Sequence, residues 1–175
     1  METKYHKRNL PHIQVENMCN FITFRTFASI DEYLQRLNSL NLSTKEKQYK
    51  IDKYLDNSQN GAYFYDKILS KMKEILFEFD GLLYELIAFA IMPNHIHLVI
   101  LPKTNLAIIM KNLKGKSGKL LNELLELNGS FWAREYYDKV IRDEKHLNQT
   151  IEYILNNPLK AGLEDSEYRV WNKFQ

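Results

Sequence analysis

Residues 92–100 read Met-Pro-Asn-His-Ile-His-Leu-Val-Ile, so two histidines lie one residue apart, after a Pro-Asn pair and inside an apolar run. Because successive side chains of a β-strand point to opposite faces, His95 and His97 are predicted to share one face, ~7 Å apart along the strand. Neutral imidazole is a common metal ligand, and two on one strand can share an ion. The pattern equally fits two half-buried histidines that bond a neighbouring strand, so a metal site needs partners elsewhere in the chain.

The residues on both sides of this pair predict a buried β-hairpin. Residues 84–92 form a nearly continuous apolar run, and residues 95–101 form the return strand. Pro93 and Asn94 suit the two central positions of the connecting turn. This hairpin is expected to hold His95 at the end of a sheet, next to solvent.

The composition favours a single domain over residues 1–175, since 175 residues that are 45% hydrophobic can bury one core. The net charge of +2 identifies no partner, so nucleic-acid binding depends on local clusters of charge. The one cysteine, Cys19, excludes an internal disulfide and fits a reducing compartment. The chain shows no signal peptide and no apolar run of the ~18 residues that a membrane span requires. The predicted location is therefore cytoplasmic, without membrane contact.

The spacing of apolar residues predicts the remaining elements. The last helix begins at the N-cap Asp143 and is expected to end at Asn157, because Pro158 disfavours helical backbone in the residue before it. Before this helix the pattern indicates a basic N-terminal arm with Lys4, Lys7 and Arg8, a strand at 20–27, helices at 31–40, 43–56, 68–79 and 106–127, and a short strand or turn at 140–142.

The long helix carries four lysines within nine residues. Such a run is usually a solvated face, and contact with DNA phosphates is the alternative. An aromatic connector, residues 129–137, follows this helix and contains two adjacent tyrosines. The residues concerned are Lys111, Lys114, Lys116 and Lys119 in the helix, and Tyr136 and Tyr137 in the connector.

Two polar residues of the last helix share a face beside its buried stripe. Tyr153 and Asn157 are four residues apart, which brings them one above the other on a helix. Each residue taken alone also has a structural explanation, since Tyr153 can be a packing residue and Asn157 can simply end the helix before Pro158.

Taken together, these segments resemble the single-tyrosine transposases of the His-hydrophobic-His type, in particular those associated with repetitive extragenic palindromes. Residues 92–99 are similar to the histidine motif of that family. Residues 152–163, Glu-Tyr-Ile-Leu-Asn-Asn-Pro-Leu-Lys-Ala-Gly-Leu, are similar to its tyrosine helix, and residues 131–144 to the segment that joins the two. The resemblance covers most of residues 12–171, whereas residues 43–62 are longer and more polar than the minimal family core.

The resemblance implies an α+β fold, with a ferredoxin-like antiparallel sheet and helices packed on it. It implies that His95 and His97 bind a divalent ion, Mg²⁺ or Mn²⁺, that Asn157 completes the metal site, and that Tyr153 is the nucleophile. The implied substrate is single-stranded DNA beside a hairpin or palindromic repeat. The four lysines, Arg134, Tyr136 and Tyr137 are then predicted to contact phosphates and unpaired bases.

A tyrosine nucleophile suits such a reaction, because a covalent intermediate preserves the energy of the cut phosphodiester bond. Attack by the phenol on phosphorus releases a 3′-hydroxyl and leaves the 5′-phosphate on the enzyme. A phenol with a pKa of ~10 needs a base or a nearby cation at neutral pH. Imidazole ligands favour softer ions than Mg²⁺, so Mn²⁺ suits this set of ligands.

Three other functions fit the same residues. The first is a DNA-binding module that keeps the fold without transposition. The second is a metal-dependent phosphodiesterase that uses water as its nucleophile. The third is a replication initiator or relaxase. The phosphodiesterase differs from the predicted transposase in its nucleophile, and a replication initiator or relaxase usually carries further domains. Both a monomer and a homodimer are compatible with the sequence.

Overall fold

The computed structural model describes residues 3–7 and 11–174 and contains seven strands and five α-helices within them. The strands are β1 (Thr3–Lys7), β2 (Pro11–Val15), β3 (Asn20–Arg25), β4 (Tyr84–Ile91), β5 (His95–Pro102), β6 (Tyr137–Val140) and β7 (Val170–Asn172). The helices are α1 (Glu32–Ser39), α2 (Thr44–Leu55), α3 (Asp66–Glu78), α4 (Leu106–Leu125) and α5 (Glu144–Lys160). None of the helices in the described part of the chain has the length and apolarity needed to cross a membrane.

The central sheet has five strands in the order β6-β3-β5-β4-β7, and every neighbouring pair is antiparallel. Helices α1 to α3 connect β3 to β4, a tight hairpin connects β4 to β5, and α4 connects β5 to β6. Without β7, this order and these connections are those of a ferredoxin-like fold. The predicted fold class, an α+β fold with an antiparallel sheet and packed helices, is confirmed.

The two faces of the sheet bury different sets of side chains, because side chains alternate along each strand. Helices α3 and α4 cover one face, where Phe24 and Leu98 lie in the larger core cluster. Helix α5 covers the other face, where Ile151 and Ile154 pack with Ala88 and Ala90 of β4 and with Val99 of β5. The alanines let α5 lie close to the sheet, on the face that carries the paired histidines.

The hairpin between β4 and β5 is buried to its tip, which corrects the prediction of a solvent-exposed His95. Three residues, 92–94, separate the two strands, and His95 is 0% exposed. The Asn94 amide nitrogen donates to the carbonyl oxygens of Leu55, Ser58 and Asn60, at 3.2, 2.9 and 3.3 Å. These bonds hold the end of α2 and the loop after it over the hairpin.

Helix α2 is therefore packed against the rest of the domain and is not merely a polar insertion on the surface. Ser43 and Glu46 form a capping box at its start, which satisfies backbone N–H groups of its first turn. Its apolar side pairs with α1 in a small separate cluster that includes Leu34 and Ile51. Its polar side faces the hairpin tip, which becomes important for the site.

The structure adds strands near both ends of the described chain and corrects the predicted end of the last helix. The N-terminal arm is a hairpin of β1 and β2 (Arg8 lies outside the described residues), and the tail adds β7 to the sheet edge beside β4. Helix α5 continues through Pro158 to Lys160. Proline costs a helix one N–H donor, and so near the end the tertiary packing of buried Pro158 outweighs that loss.

Candidate active site

The predicted histidine pair lies on the α5 face of the sheet, in the middle of the strand order. His95 pairs in register with Arg25 of β3, and His97 pairs with Thr23. Residues directly opposite each other on antiparallel strands point to the same face. Both histidines, Arg25 and Thr23 therefore form one polar patch within an apolar sheet.

Hydrogen bonds at the Nδ1 atoms fix both imidazole rings. His95 Nδ1 donates to the Asn94 side-chain oxygen at 2.8 Å, and His97 Nδ1 lies 2.9 Å from the Thr23 hydroxyl. The Asn157 amide donates to His97 Nε2 at 2.8 Å, so that nitrogen is an acceptor and the Nδ1 proton of His97 goes to Thr23. Both Nε2 atoms consequently present lone pairs.

These two nitrogen atoms lie close together, since the Nε2 atoms of His95 and His97 are only 3.1 Å apart. Burial lowers the pKa of His97 to about 3, and burial together with the charges of His97 and Arg25 lowers the pKa of His95 well below its usual range. Both rings are therefore neutral at physiological pH, which is the form that binds metals.

The geometry suits a shared metal ion. Two donors that each lie ~2.1 Å from one ion at a right angle are ~3 Å apart, close to the observed separation. Asn157 adds a third group to the pair, so the structure brings together the three residues predicted from the sequence. Rotation of its amide by half a turn presents the oxygen. No group of three or more His, Cys, Asp or Glu side chains is arranged for a metal within the described residues, so an asparagine donor is essential to this interpretation.

Tyr153 lies one helical turn before Asn157 and beside His97. Its ring meets the His97 ring at a centroid distance of 5.8 Å, in an edge-to-face arrangement. The residue is 36% exposed, so a large substrate can reach it. Burial raises the pKa of the Tyr153 phenol, and the carboxylates of Asp52 and Asp56 raise it further. The phenol is thus protonated at neutral pH and needs a proton acceptor to become a strong nucleophile.

Two carboxylates at the C-terminal end of α2, Asp52 within the helix and Asp56 at its C-cap, lie beside these residues, and no pattern in the sequence indicated them. Asp52 and Asp56 are four residues apart and share the face of α2 that covers the hairpin tip. Burial raises the pKa of Asp52 to about 7, against hydrogen bonds from Gln48 and Tyr153. Burial also raises the pKa of Asp56 to about 6. Their position beside the site becomes evident only when α2 is seen to cover the hairpin.

Asp56 lies next to the His95 imidazole. Its Oδ1 atom lies 3.6 Å from His95 Nε2 and is buried without a hydrogen-bond partner. An unpaired anionic oxygen beside two neutral nitrogen lone pairs makes this spot favourable for a cation and unfavourable for an empty cavity.

The predicted DNA contacts of the connector lie around two neighbouring cavities. A cavity of about 460 Å³ lies between α2 and the sheet, and Arg134, Tyr136 and Tyr137 line it. A second cavity of about 350 Å³ is lined by Lys111, Lys114, Arg134 and Tyr136. The shared lining residues make a polar and aromatic path that leads from α4 to the histidine face.

The four lysines of α4 differ in their surroundings. Lys114 donates to the carbonyl oxygens of Ala133 and Arg134, at 2.7 and 2.9 Å, and so holds the connector. Lys116 pairs with Glu78 of α3. Helix α4 packs on the sheet face opposite the histidines, so none of these lysines joins the metal ligands. Lys111 and Lys119 are exposed.

The chain is similar to several known proteins. A protein of Haemophilus influenzae named as a REP-associated tyrosine transposase is 30% identical over 132 residues, which are 61% of this chain and 75% of that protein. A solved structure described as a REP-associated tyrosine transposase bound to a REP hairpin has a TM-score of 0.49 and 17% identity, over 90% of this chain and 74% of that one. A structure described as a transposase from Deinococcus radiodurans has a TM-score of 0.48 and 17% identity, over 87% and 96% of the two chains.

The family profile "Transposase IS200 like" matches residues 43–157. This range is well over half of the 175 residues and includes α2, the histidine hairpin and the tyrosine helix. The chain therefore belongs to the IS200-like transposase family, in agreement with the tyrosine transposases that its sequence resembles.

Proposed function

We propose that this chain cuts and rejoins single-stranded DNA through a covalent bond between Tyr153 and a 5′-phosphate. The convergence of His95, His97, Asn157 and Tyr153 at one place, from a strand and a helix distant in sequence, carries this proposal. Family membership supports a transposase, and the site chemistry supports a tyrosine nucleophile.

The residues of the chain divide the work of the first step. The Tyr153 oxygen attacks the scissile phosphorus and its proton passes to Asp52, which interacts with the phenol and whose pKa of about 7 suits a proton acceptor at neutral pH. The bond from phosphorus to the 3′-oxygen breaks, and that oxygen takes a proton from water and leaves hydroxide in solution. In the second step another 3′-hydroxyl attacks phosphorus and gives its proton to hydroxide, while the Tyr153 oxygen leaves phosphorus and recovers its proton from Asp52.

We further propose a divalent ion, Mg²⁺ or Mn²⁺, between His95, His97 and Asn157. When bound, such an ion supplies charge that stabilises a phosphate oxygen in the transition state. The neighbouring Nε2 atoms and the unpartnered Asp56 oxygen support a cation at this spot. Asn157 links the two halves of the site, because it bonds His97 and interacts with Tyr153.

The proposed substrate is a single strand next to a hairpin or palindromic repeat. One similar structure is described as bound to a REP hairpin, and the relative from Haemophilus influenzae is named for association with REP sequences. The cavities lined by Arg134, Tyr136 and Tyr137 offer cations and aromatic rings to phosphates and unpaired bases. A single domain, a cytoplasmic location and a monomeric or dimeric state stay predictions.

The proposal is tested by incubating the full chain with labelled single-stranded DNA that contains a hairpin, in the presence of Mn²⁺ or Mg²⁺. We expect an adduct that survives denaturant, and we expect Tyr153→Phe to abolish it while DNA binding persists. Tyr137→Phe is the matched control, because Tyr137 is the other tyrosine on the same face of the sheet.

The same assay separates the other functions. An adduct that survives Tyr153→Phe and disappears in Tyr137→Phe contradicts the assignment of the nucleophile. Cleaved DNA without any adduct indicates a hydrolase that uses water. Binding without cleavage, in either metal, indicates a DNA-binding module.

A further inference from the structure

The cavity of about 460 Å³ beside the histidines contains polar groups that the proposed chemistry does not use. Its volume lies within the ~300–1,000 Å³ range of pockets that hold small ligands. Arg25 and Thr23 of β3 form its floor, and Glu135 and Tyr137 line its other side. Tyr137 pairs in register with Thr23, so these side chains lie on the α5 face of the sheet.

Two buried atoms in this lining lack a hydrogen-bond partner. They are the Arg25 Nε, which is a donor, and the Glu135 Oε1, which is an acceptor. Each unpaired buried polar atom costs ~1–3 kcal/mol, so proteins rarely keep two in one cavity without a use. A ligand that brings an acceptor and an N–H donor into the cavity satisfies both atoms at once.

The cavity is the immediate neighbour of the proposed metal and tyrosine site. Thr23 lines the cavity and also bonds His97, and Arg25 lies opposite His95 in the sheet register. Adjacent strands are ~4.8 Å apart, so an occupant of the cavity is adjacent to the phosphate that Tyr153 reaches.

We propose that this cavity holds one unpaired nucleobase of the DNA strand, next to the cleaved phosphodiester, with Arg25 donating to the base edge and Glu135 accepting from it. The inference rests on the proposed action on single-stranded DNA and adds the residues that read sequence beside the cut. Nucleobases are flat, carry donors and acceptors on one edge, and stack on aromatic rings such as that of Tyr137. A carboxylate accepts from base N–H groups, and a guanidinium donates to base acceptors.

The test measures base preference in binding, which requires no cleavage. The full chain is mixed with a pool of single-stranded oligonucleotides that carry a short randomised segment beside a fixed hairpin, and the bound fraction is sequenced. We expect the parent chain to prefer one base at one position. Glu135→Gln keeps the shape of the side chain but replaces an acceptor oxygen with a donor, and is expected to lower that preference roughly tenfold.

A second variant and two controls keep the result interpretable. Arg25→Lys keeps a positive charge but loses the Nε donor, and is expected to reduce preference at the same position. Glu123→Gln and Arg36→Lys change exposed residues that do not line the cavity and should match the parent chain. Parent-like preference in both Glu135→Gln and Arg25→Lys overturns the inference. If the parent forms the Tyr153 adduct in that case, the proposed function survives while the base-binding cavity does not.

Discussion

At the scale of single residues, the candidate site combines two carboxylates from the C-terminal end of α2 with the proposed nucleophile Tyr153 of α5, so neither helix alone contains both kinds of group. Asp52 is 6% exposed and held by Gln48, whose amide donates to it at 2.6 Å. The Tyr153 phenol is protonated because burial and two nearby carboxylates raise its pKa. Proton transfer within this pair neutralises the Asp52 carboxylate and moves the negative charge to the Tyr153 oxygen, the atom proposed to attack phosphorus.

Replacement of Asp52 by asparagine tests this transfer. We expect Asp52→Asn to slow formation of the DNA adduct by ~10²–10⁴-fold, the usual loss when a general base is removed, and to leave DNA affinity unchanged. Glu152→Gln is the matched control, because it removes an exposed carboxylate next to Tyr153 in sequence. Equal rates of adduct formation in the Asp52→Asn variant and the parent would show that water, and not Asp52, accepts the Tyr153 proton.

The same residue predicts how stability depends on pH. The pKa of Asp52 is about 7 in the folded chain and ~3.9 in the unfolded chain, so between these values the folded state binds the extra proton. The stability that this carboxyl contributes is complete below pH ~4 and is lost as the pH rises to about 7. Chemical denaturation of the metal-free chain across this range is therefore expected to become easier for the parent than for Asp52→Asn, by at most about 4 kcal/mol. A parallel pH profile in both proteins contradicts the raised pKa.

Asn157 is the residue through which the histidine strand and the tyrosine helix are coupled. We expect Asn157→Ala to keep the fold and DNA affinity, to weaken Mn²⁺ binding, and to slow cleavage far more than binding. The reason is that the variant loses a donor 2.8 Å from His97 and a contact to Tyr153. Mn²⁺ titration of Asn157→Ala, His95→Ala and the parent measures this. Parent-like metal affinity and cleavage in Asn157→Ala would make it purely structural.

The sequence revealed the part of the site that lies within local motifs. His95 and His97 follow from strand alternation, and Tyr153 and Asn157 follow from helical spacing and resemblance. Asp52 had no such signal, because its role depends on which face of α2 meets the hairpin. That face is set by tertiary bonds such as those of Asn94, which no local pattern contains.

At the scale of elements, apolar periodicity predicted those with large buried faces. Strands β3, β4 and β5 and helices α1 to α5 were all expected, because the strands are runs of apolar and β-branched residues bounded by turn signals and the helices show an apolar period of 3.6. Strands β1, β2 and β7 are short, and each is stabilised by one neighbouring strand rather than by its own pattern. The packing of Trp171 on Phe77 and Phe89 anchors β7, and it is a contact between residues distant in sequence.

Helix α4 was predicted to bind DNA through four lysines, and the structure shows that these lysines have different surroundings. Lys111 lines the smaller cavity, whereas Lys116 pairs with Glu78. We expect Lys111→Gln to lower the slope of log affinity against log salt by ~0.7, the value for one phosphate contact on a single strand. Lys116→Gln on the same helix serves as the control and should leave the slope unchanged. Equal slopes in the parent and Lys111→Gln would make Lys111 an ordinary surface residue.

At the scale of the whole molecule, the four residues of the candidate site come together within one chain. Helix α5 packs on its own sheet through Ile151 and Ile154, and Asn157 bonds His97 of the same chain. A homodimer remains compatible with this arrangement, but exchange of α5 between subunits would break both contacts and re-form them across an interface. We expect catalysis by each chain on its own, whatever the oligomeric state.

Mixing two inactive variants tests this directly. Tyr153→Phe keeps the metal ligands and lacks the nucleophile, and His95→Ala keeps the nucleophile and lacks a ligand. If strand and helix came from different chains, a mixed dimer would contain one intact site and form the DNA adduct. Because both come from one chain here, we expect no adduct after the variants are denatured together and refolded as a mixture, a step that permits exchange of subunits. Light scattering of the same sample reports the oligomeric state, and the parent chain refolded alongside shows that activity survives the procedure. Recovery of adduct in the mixture would mean that α5 lies on a partner's sheet, and the contact between Asn157 and His97 would then join two chains.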